Sequence, residues 1–414
     1  MISEVVTATN ESIKLGVADS QVASVRSQVE EETAVRVYDG GFAGVASAVG
    51  RPDLDALTAR ARSCLDFQIA YPAQPSQGRQ LSASHQGRWR SVDALVEMTR
   101  EVLQSLQDAF PGFVLGHGVT QEKVGWQITN DLGLDLAYER VSTQAVFTVK
   151  EKGSGSIFDT FVATEGLDLS ASDIIERFSA HLRAYSQPIG AAPTGRQRIL
   201  FPGIQGMAGD PLVKLIQSDM VARAFGTGAS VFKDKQGAQV FSEKLHLVDS
   251  RDSDAWRVSP FDMEGVVRDE LDHVLIQAGQ IGQPVCNKRD AVRYQLQPTG
   301  SGLGSLAQLP VTGVGKLVFA PTTPTLVSLL DGEPALMPWL VAGGDCTRAG
   351  DLGMPAQVLL RVEPDGTVSG RYDGGTLSGS IYEALGEGLV GISAQTVDPD
   401  SEAPYLLTHM DVAP

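Results

Sequence analysis

Residues 12–48 read SIKLGVADSQVASVRSQVEEETAVRVYDGGFAGVASA. Ile13, Leu15 and Val17 lie two apart, as do Val35 and Val37. A period of two is the mark of a strand with one buried face, so the chain opens as a sheet. The glycines of YDGGFAG suit a hairpin turn that needs positive φ. Helical spacing follows. In RPDLDALTARARSCLDF (51–67), Pro52 suits a first helical turn. Leu54, Leu57, Ala61 and Cys64 share one face, which makes Cys64 a core residue.

A second amphipathic helix is expected over SVDALVEMTREVLQSLQDAF (91–110), stopped by Pro111 and Gly112. Strand-like runs surround FVLGHGV (113–119), LDLAYERVSTQAVFTVKE (134–151) and SIFDTFVAT (156–164). SASDIIERFSAHLRAY (170–185) carries a capping pattern in Ser170 and Asp173 and an apolar stripe in Ile174, Phe178, Leu182 and Tyr185. His181 lies beside that stripe and reads as a helix-flank residue. SQPIGAAPTGR (186–196) has no periodicity and reads as a linker. DPLVKLIQSDMVARAFG (210–226) predicts a helix with Asp210 as cap, Pro211 at its first position and Gly226 at its end. From about residue 230 the chain reads as short strands and turns, with a hairpin at PDG (364–366) and short helices at TPTLVSLLDG and SIYEALGEG. The fold class is α+β. A helix-on-sheet domain over 1–190 precedes a β-rich domain over 191–414 with a curved or barrel-like sheet.

The 414 residues exceed one ordinary core, which fits two domains. The balance of 33 basic and 50 acidic residues gives 33 − 50 = −17, a field that repels phosphate backbones and argues against nucleic acid. The N-terminal MISEVVTATNESIKLGV has no basic segment followed by an apolar one, and no apolar run reaches membrane-spanning length, so no membrane is expected. Cys64, Cys286 and Cys346 are far apart and form no CxxC, which fits a reducing cytoplasm.

Most chemical motifs are absent. No histidine is followed by Glu, and no two histidines lie within a helical turn of each other, so a zinc site of that type is excluded by sequence. GxSxG does not occur. GVGKLVF (313–319) has Pro310 and Leu317 where a phosphate loop needs Gly and Ser or Thr, and GSGLG (300–304) lacks a strand–turn–helix setting. Cys346 in GGDCTRAGD is polar-flanked with no histidine near it in sequence. The stretch SPFDMEGVVRDELDHVLIQAG (259–279) concentrates Asp262, Glu264, Asp269, Glu270, Asp272 and His273. Its part from Arg268 to His273 mixes signs ahead of an apolar run and reads as a solvated turn or strand start.

FDMEG (261–265) resembles the FD-x-EG element of the TldD/PmbA family, whose members are also called TldE. AVRVYDGGFAGVAS (34–47) is similar to that family's first hairpin. VLIQAGQIGQPVCNKRDAVRY (274–294), QPTGSG (297–302) and GGDCTRAGDLGMPAQVLLRVEPDGTVSG (343–370) are similar to its later elements, in the same order over nearly the whole chain. The family's usual opening helix is missing.

The resemblance implies two kinds of subunit. TldD-type chains hold a metal with an HExxxH helix and a later cysteine and act as metallopeptidases, whereas PmbA/TldE-type chains lack those ligands. In this sequence Gln217, Ser218 and Asp219 stand where the His-Glu pair is expected, and residues 392–414 contain no cysteine. The resemblance therefore implies a PmbA/TldE-type chain with no catalytic residue, metal or cofactor of its own, and zinc in a TldD-like partner. The implied assembly is a dimer, heteromeric or homomeric, that grips a peptide or unfolded protein as an added strand. Phe261, Asp262, Glu264, Gly265, Gly350 and Asp351 match family positions and are expected to be structural or groove-lining. Two alternatives stay open: a stand-alone hydrolase using Cys346 or the Asp262/Glu264 pair, and a homodimeric peptide-binding or regulatory protein.

Overall fold

The computed structural model describes residues 1–203, 209–252, 257–396 and 403–414. Strand makes up 45% of the chain and helix 21%, an α+β protein built on two large sheets. The first sheet runs in the order Phe42–Val49, Gln21–Asp39, Ile2–Ala18, Phe113–Asn130, Asp135–Glu151, Gln80–His85, with Thr160–Gly166 also paired to Asp135–Glu151. All pairings are antiparallel except that of Gln80–His85. The turn at Gly40 and Gly41 has φ of 58° and 85°, as the sequence predicts. The preceding turn, Asp19–Ser20, takes φ of 48° and 58° without a glycine and carries no such signal in sequence.

Two helices cover one face of this sheet. Val92–Ala109 presents Leu95, Val102 and Leu106, and Ala171–Tyr185 presents Ile174, Phe178 and Leu182, against Leu15, Val119 and Phe147. Phe147 and Phe178 meet edge to face at 5.2 Å. Each such fully buried side chain contributes roughly 1.5–3 kcal/mol. Ser170 and Asp173 form the expected capping box.

The second sheet contains a closed five-strand barrel. Ala335–Val341, Gly195–Pro202, Pro404–Ala413, Gly375–Ser380 and Asp351–Val362 pair in turn, and Asp351–Val362 closes on Ala335–Val341. Gly195–Pro202 is buried on both faces: Ile199 and Phe201 join one core with Leu212 and Ile216 of helix Asp210–Asp219, while Leu200 joins another with Leu329, Met337 and Leu407. A four-stranded sheet lies beside the barrel in sequence, in the order Gln280–Ile281, Asp272–Gln277, Leu247–Ser250, Lys316–Phe319.

Several local expectations change. Pro52 lies outside helix Leu54–Ser63, whose cap is Asp53. Leu57 and Ala61 are buried, but Leu54 is exposed and Cys64, at the C-cap, is only half-buried. The predicted 210–226 helix is two helices, Asp210–Asp219 and Ala222–Thr227, because Val221 adopts extended backbone and bridges Val285. Gly209, not Asp210, caps the first, and the left-handed Gly228 ends the second. The linker is partly ordered: Pro188–Gly190 pairs in parallel with Val368–Tyr372. His181 is in the core. Its ring packs 4.4 Å from that of Trp339 and its Nε2 lies 3.0 Å from Thr160 Oγ1. Burial holds its pKa down at about 3, so it is neutral and structural.

Candidate functional site

The FDMEG element is a buried loop whose backbone is organised by its own Asp262. Asp262 Oδ1 accepts from the N–H groups of Glu264 and Val266, both at 2.9 Å, and Oδ2 accepts from Gly302 N at 2.7 Å. Three backbone donors on one carboxylate are a charge-assisted loop clamp. Gly265 has φ of 68°, and a Cβ there would stand 2.7 Å from Leu134 Cδ2. Phe261 fills a small core with Ile128, Leu134 and Leu136.

Glu264 is 3% exposed and its carboxylate is engaged at both oxygens. Tyr71 Oη donates to Oε1 at 2.9 Å and Lys288 N donates to Oε2 at 2.6 Å. Ser76 Oγ, 2.9 Å from the Glu264 carbonyl, also receives Lys288 Nζ at 2.5 Å. Burial pushes the Glu264 carboxyl up to about 7 and the neighbouring Asp262 adds to the rise, against the pull of Lys288 N–H, the Tyr71 hydroxyl and the Lys288 ammonium. Burial lowers Lys288 in turn, and Glu264 is the main charge opposing that shift. The loop is bolted to the first sheet by Arg36, which is fully buried. Its Nη1 donates to the Met263 carbonyl at 2.5 Å and to Glu4 Oε1 at 3.2 Å, and Tyr38 Oη donates to Glu4 Oε1 at 3.1 Å.

The structure thus brings Asp262, Glu264 and Gly265 together with Glu4, Arg36, Tyr38, Tyr71, Ser76 and Lys288, which the sequence reading missed. The one trace of them in sequence is Arg36 within the apolar run AVRVY (34–38). Asp269, Glu270 and Asp272 are exposed at the surface, as a solvated turn predicts, but Arg268 is not: its guanidinium is inside, on the fully buried Asp249 at 2.5 Å. His273 Nε2 lies 3.0 Å from the Gln283 carbonyl.

Gly350 and Asp351 belong to a different place, the start of barrel strand Asp351–Val362. Gly350 has φ of 92°, and a Cβ would stand 2.6 Å from Tyr382 Cε2. Asp351 is exposed and accepts from Thr347 Oγ1 at 3.2 Å. Between them and helix Asp210–Asp219 lies an ion pair, Arg348 Nη1 to Asp219 Oδ1 at 2.5 Å, with Asp219 Oδ2 accepting from Val231 N at 2.8 Å. Cys346 is half-buried, and burial with Asp345 and Asp351 pushes its thiol up to about 11, the opposite of an activated nucleophile.

A zinc of the kind the resemblance implies for a TldD-like chain does not fit these residues. The Asp262 and Glu264 oxygens are occupied by backbone and tyrosine donors, and Asp219 is tied to Arg348 and Val231. Among the described residues no three His, Cys, Asp or Glu side chains come together in a metal-holding group.

Comparison with known proteins decides the family. Residues 194–413 match the model described as the PmbA/TldA metallopeptidase C-terminal domain, more than half of the chain. The chain belongs to the PmbA/TldD family. Solved structures of the PmbA/TldD fold match along its whole length. TldE from Thermococcus kodakarensis superposes with a TM-score of 0.81 at 18% identity, over 100% of this chain and 97% of that one. Proteins described as putative modulators of DNA gyrase match similarly: one from Thermotoga maritima at 0.77 and 17% (100% and 96% covered), one from Bacteroides thetaiotaomicron at 0.75 and 14% (100% and 94%). No curated protein sequence matches the chain. Among the described residues no helix is long and apolar enough to cross a membrane.

Proposed function

We propose that the chain is the non-catalytic subunit of a TldD/TldE-like metallopeptidase, completing the substrate cleft beside a zinc-bearing TldD-like chain and holding an extended peptide. The observation that carries the reading is the state of the helix Asp210–Asp219. Where a peptidase of this family would present a His-Glu pair, Gln217, Ser218 and Asp219 stand instead, and Asp219 is neutralised by Arg348 and caps Val231 N–H. Both Asp219 oxygens are thus engaged, Oδ1 by Arg348 and Ser218 Oγ and Oδ2 by Val231 N, and Arg348 neutralises the charge a metal would need. The motif acids Asp262 and Glu264 are likewise spent on fixing a loop.

Strand addition is the mode of peptide capture that this chain supports physically. The strand Gln21–Asp39 pairs with Phe42–Val49 only from Glu32 onward, so among the described residues its backbone edge over residues 21–30 is open. An open edge gives main-chain hydrogen bonds to any sequence, and exposed side chains such as Val25 and Val29 add apolar contact. Mixing this chain with an HExxxH-bearing chain from the same genome tests the reading. The expected result is a heteromer by size exclusion with light scattering, and peptidase activity that neither chain shows alone. A chain that stays monomeric in the mixture and leaves the partner's activity unchanged refutes it.

A further inference from the structure

Beside the FDMEG loop the structure encloses a half-open cavity of about 330 Å³ that none of the roles above uses. Its polar lining is Arg251, Arg257, Ser259 and Lys316, and its apolar lining includes Val258, Leu317, Phe319 and Pro404. No carboxylate is among the described residues lining it.

Arg251 is the unusual member. It follows strand Leu247–Ser250 and is only 6% exposed, yet among the described residues its Nε and Nη2 have no hydrogen-bond acceptor. Each unsatisfied buried donor costs about 1–3 kcal/mol. The buried Arg36 also leaves Nε and Nη2 unpaired, but its Nη1 is held by Glu4 and Met263, whereas the Arg251 side chain makes no hydrogen bond among the described residues. Among the described residues the neighbouring acids Asp249 and Asp262 do not supply that acceptor. Asp249 is held by Arg268, Ser301 and Gly315 N, and Asp262 by three backbone N–H groups. Both still favour the charged form of Arg251 through space, against the lowering effect of burial. Arg257 is paired to Glu165 at 3.3 Å, and burial brings Lys316 down to about 8. Gly315 keeps the wall open: a Cβ there would meet Asp249 Oδ1 at 3.1 Å and approach Arg251 Nη2 at 3.6 Å.

We infer that this cavity binds a carboxylate carried on a compact apolar group, with Arg251 receiving the carboxylate and Leu317, Phe319 and Pro404 receiving the apolar part. A planar guanidinium matches a carboxylate in bidentate geometry, and the cavity's size is at the small end of ligand sites. The same chemistry comes from the C-terminal residue of a peptide or from a free branched-chain acid. The inference concerns the isolated chain and holds or fails independently of any peptidase partner.

Titration calorimetry with the purified full chain tests it. The probes are N-acetylleucine, N-acetylleucinamide, 4-methylpentanoate and inorganic phosphate, each with wild type and with Arg251→Met. The expected result is that an acid binds wild type at least tenfold more tightly than the amide and than phosphate. The tighter of the two acids then names the source. Arg251→Met is expected to lose that tenfold preference while its melting temperature is unchanged or raised, because the variant removes a buried donor group that lacks an acceptor. Arg251→Lys, which keeps the charge without the fork, is expected to bind more weakly than wild type. Equal binding of acid and amide, phosphate as tight as the acids, or an Arg251→Met chain that melts lower and binds as wild type does, would each overturn the inference.

Discussion

Replacing Glu264 by Gln isolates one titration inside the FDMEG bolt. In the unfolded chain this carboxyl ionises near its ordinary 4.5, and in the folded chain near 7, chiefly because of burial. Between those values the folded chain keeps a proton that the unfolded chain has lost. The contribution of Glu264 to stability is therefore greatest below pH 4.5 and declines as pH rises from there through 7. The gap corresponds to about 3 kcal/mol at its limit, of which roughly 2.5 kcal/mol falls between pH 5 and pH 8. Glutamine fits the same contacts: its carbonyl oxygen can accept from Lys288 N, and its amide can donate to the Tyr71 hydroxyl, which rotates its own hydrogen away. The variant keeps the geometry and drops the titration. Urea unfolding of both proteins at pH 5 and pH 8 measures the effect. The expected outcome is a stability difference that moves by roughly 2.5 kcal/mol in favour of Glu264→Gln between those pH values. A difference constant across the range refutes the assignment of a raised carboxyl in this network.

Gly265→Val is expected to cost about 3 kcal/mol, since it combines a left-handed backbone with a side chain driven into Leu134, and a thermal melt reads it. His181 shifts the opposite way from Glu264. Its folded pKa of about 3 lies below the ordinary 6.5, so stability is lost as pH falls from 6.5 toward 3. His181→Gln should flatten that loss, with Trp339 fluorescence as the reporter because its ring touches His181. Asp219→Ala leaves Val231 N–H without its acceptor and Arg348 without its ion, and should lower stability by about 2 kcal/mol in urea unfolding. Chelator-free purified chain should carry no stoichiometric zinc by elemental analysis, and one tightly held metal per chain would overturn the engaged state of Asp262 and Glu264 derived above.

Local signals read well from the sequence where the physics is local. The paired glycines at 40 and 41, the Ser170–Asp173 capping box and the Pro-Asp-Gly turn at 364–366 each act over a few residues, and each is where the sequence places it. What failed depended on distant partners. His181 sits on the margin of its helix's apolar stripe, and only Thr160 and Trp339 make it core. Helix 210–226 splits because Val221 finds a bridge partner 64 residues away, at Val285. The motif acids stood out by resemblance and were expected to be structural or groove-lining, but the partners that hold them were not legible. Tyr71 reaches Glu264 across 193 residues and Arg36 reaches Met263 across 227, and nothing near either residue announces the pairing. Arg251 was invisible for the converse reason, since what sets it apart is a guanidinium that makes no hydrogen bond among the described residues.

The closed barrel has a consequence for how the chain reaches this state. Gly195–Pro202 lies beside Pro404–Ala413, with Leu200 facing Leu407, so one seam of the ring joins segments about two hundred residues apart. Closing so long a loop costs entropy before any hydrogen bond repays it, and non-local pairing of this kind slows folding. Until that seam forms, both strands present raw hydrogen-bonding edges flanked by side chains that end up fully buried. The waiting period before ring closure is thus the stage at which this protein is most exposed to mispairing with its neighbours. Its yield on refolding should fall steeply with concentration even where the finished molecule is stable.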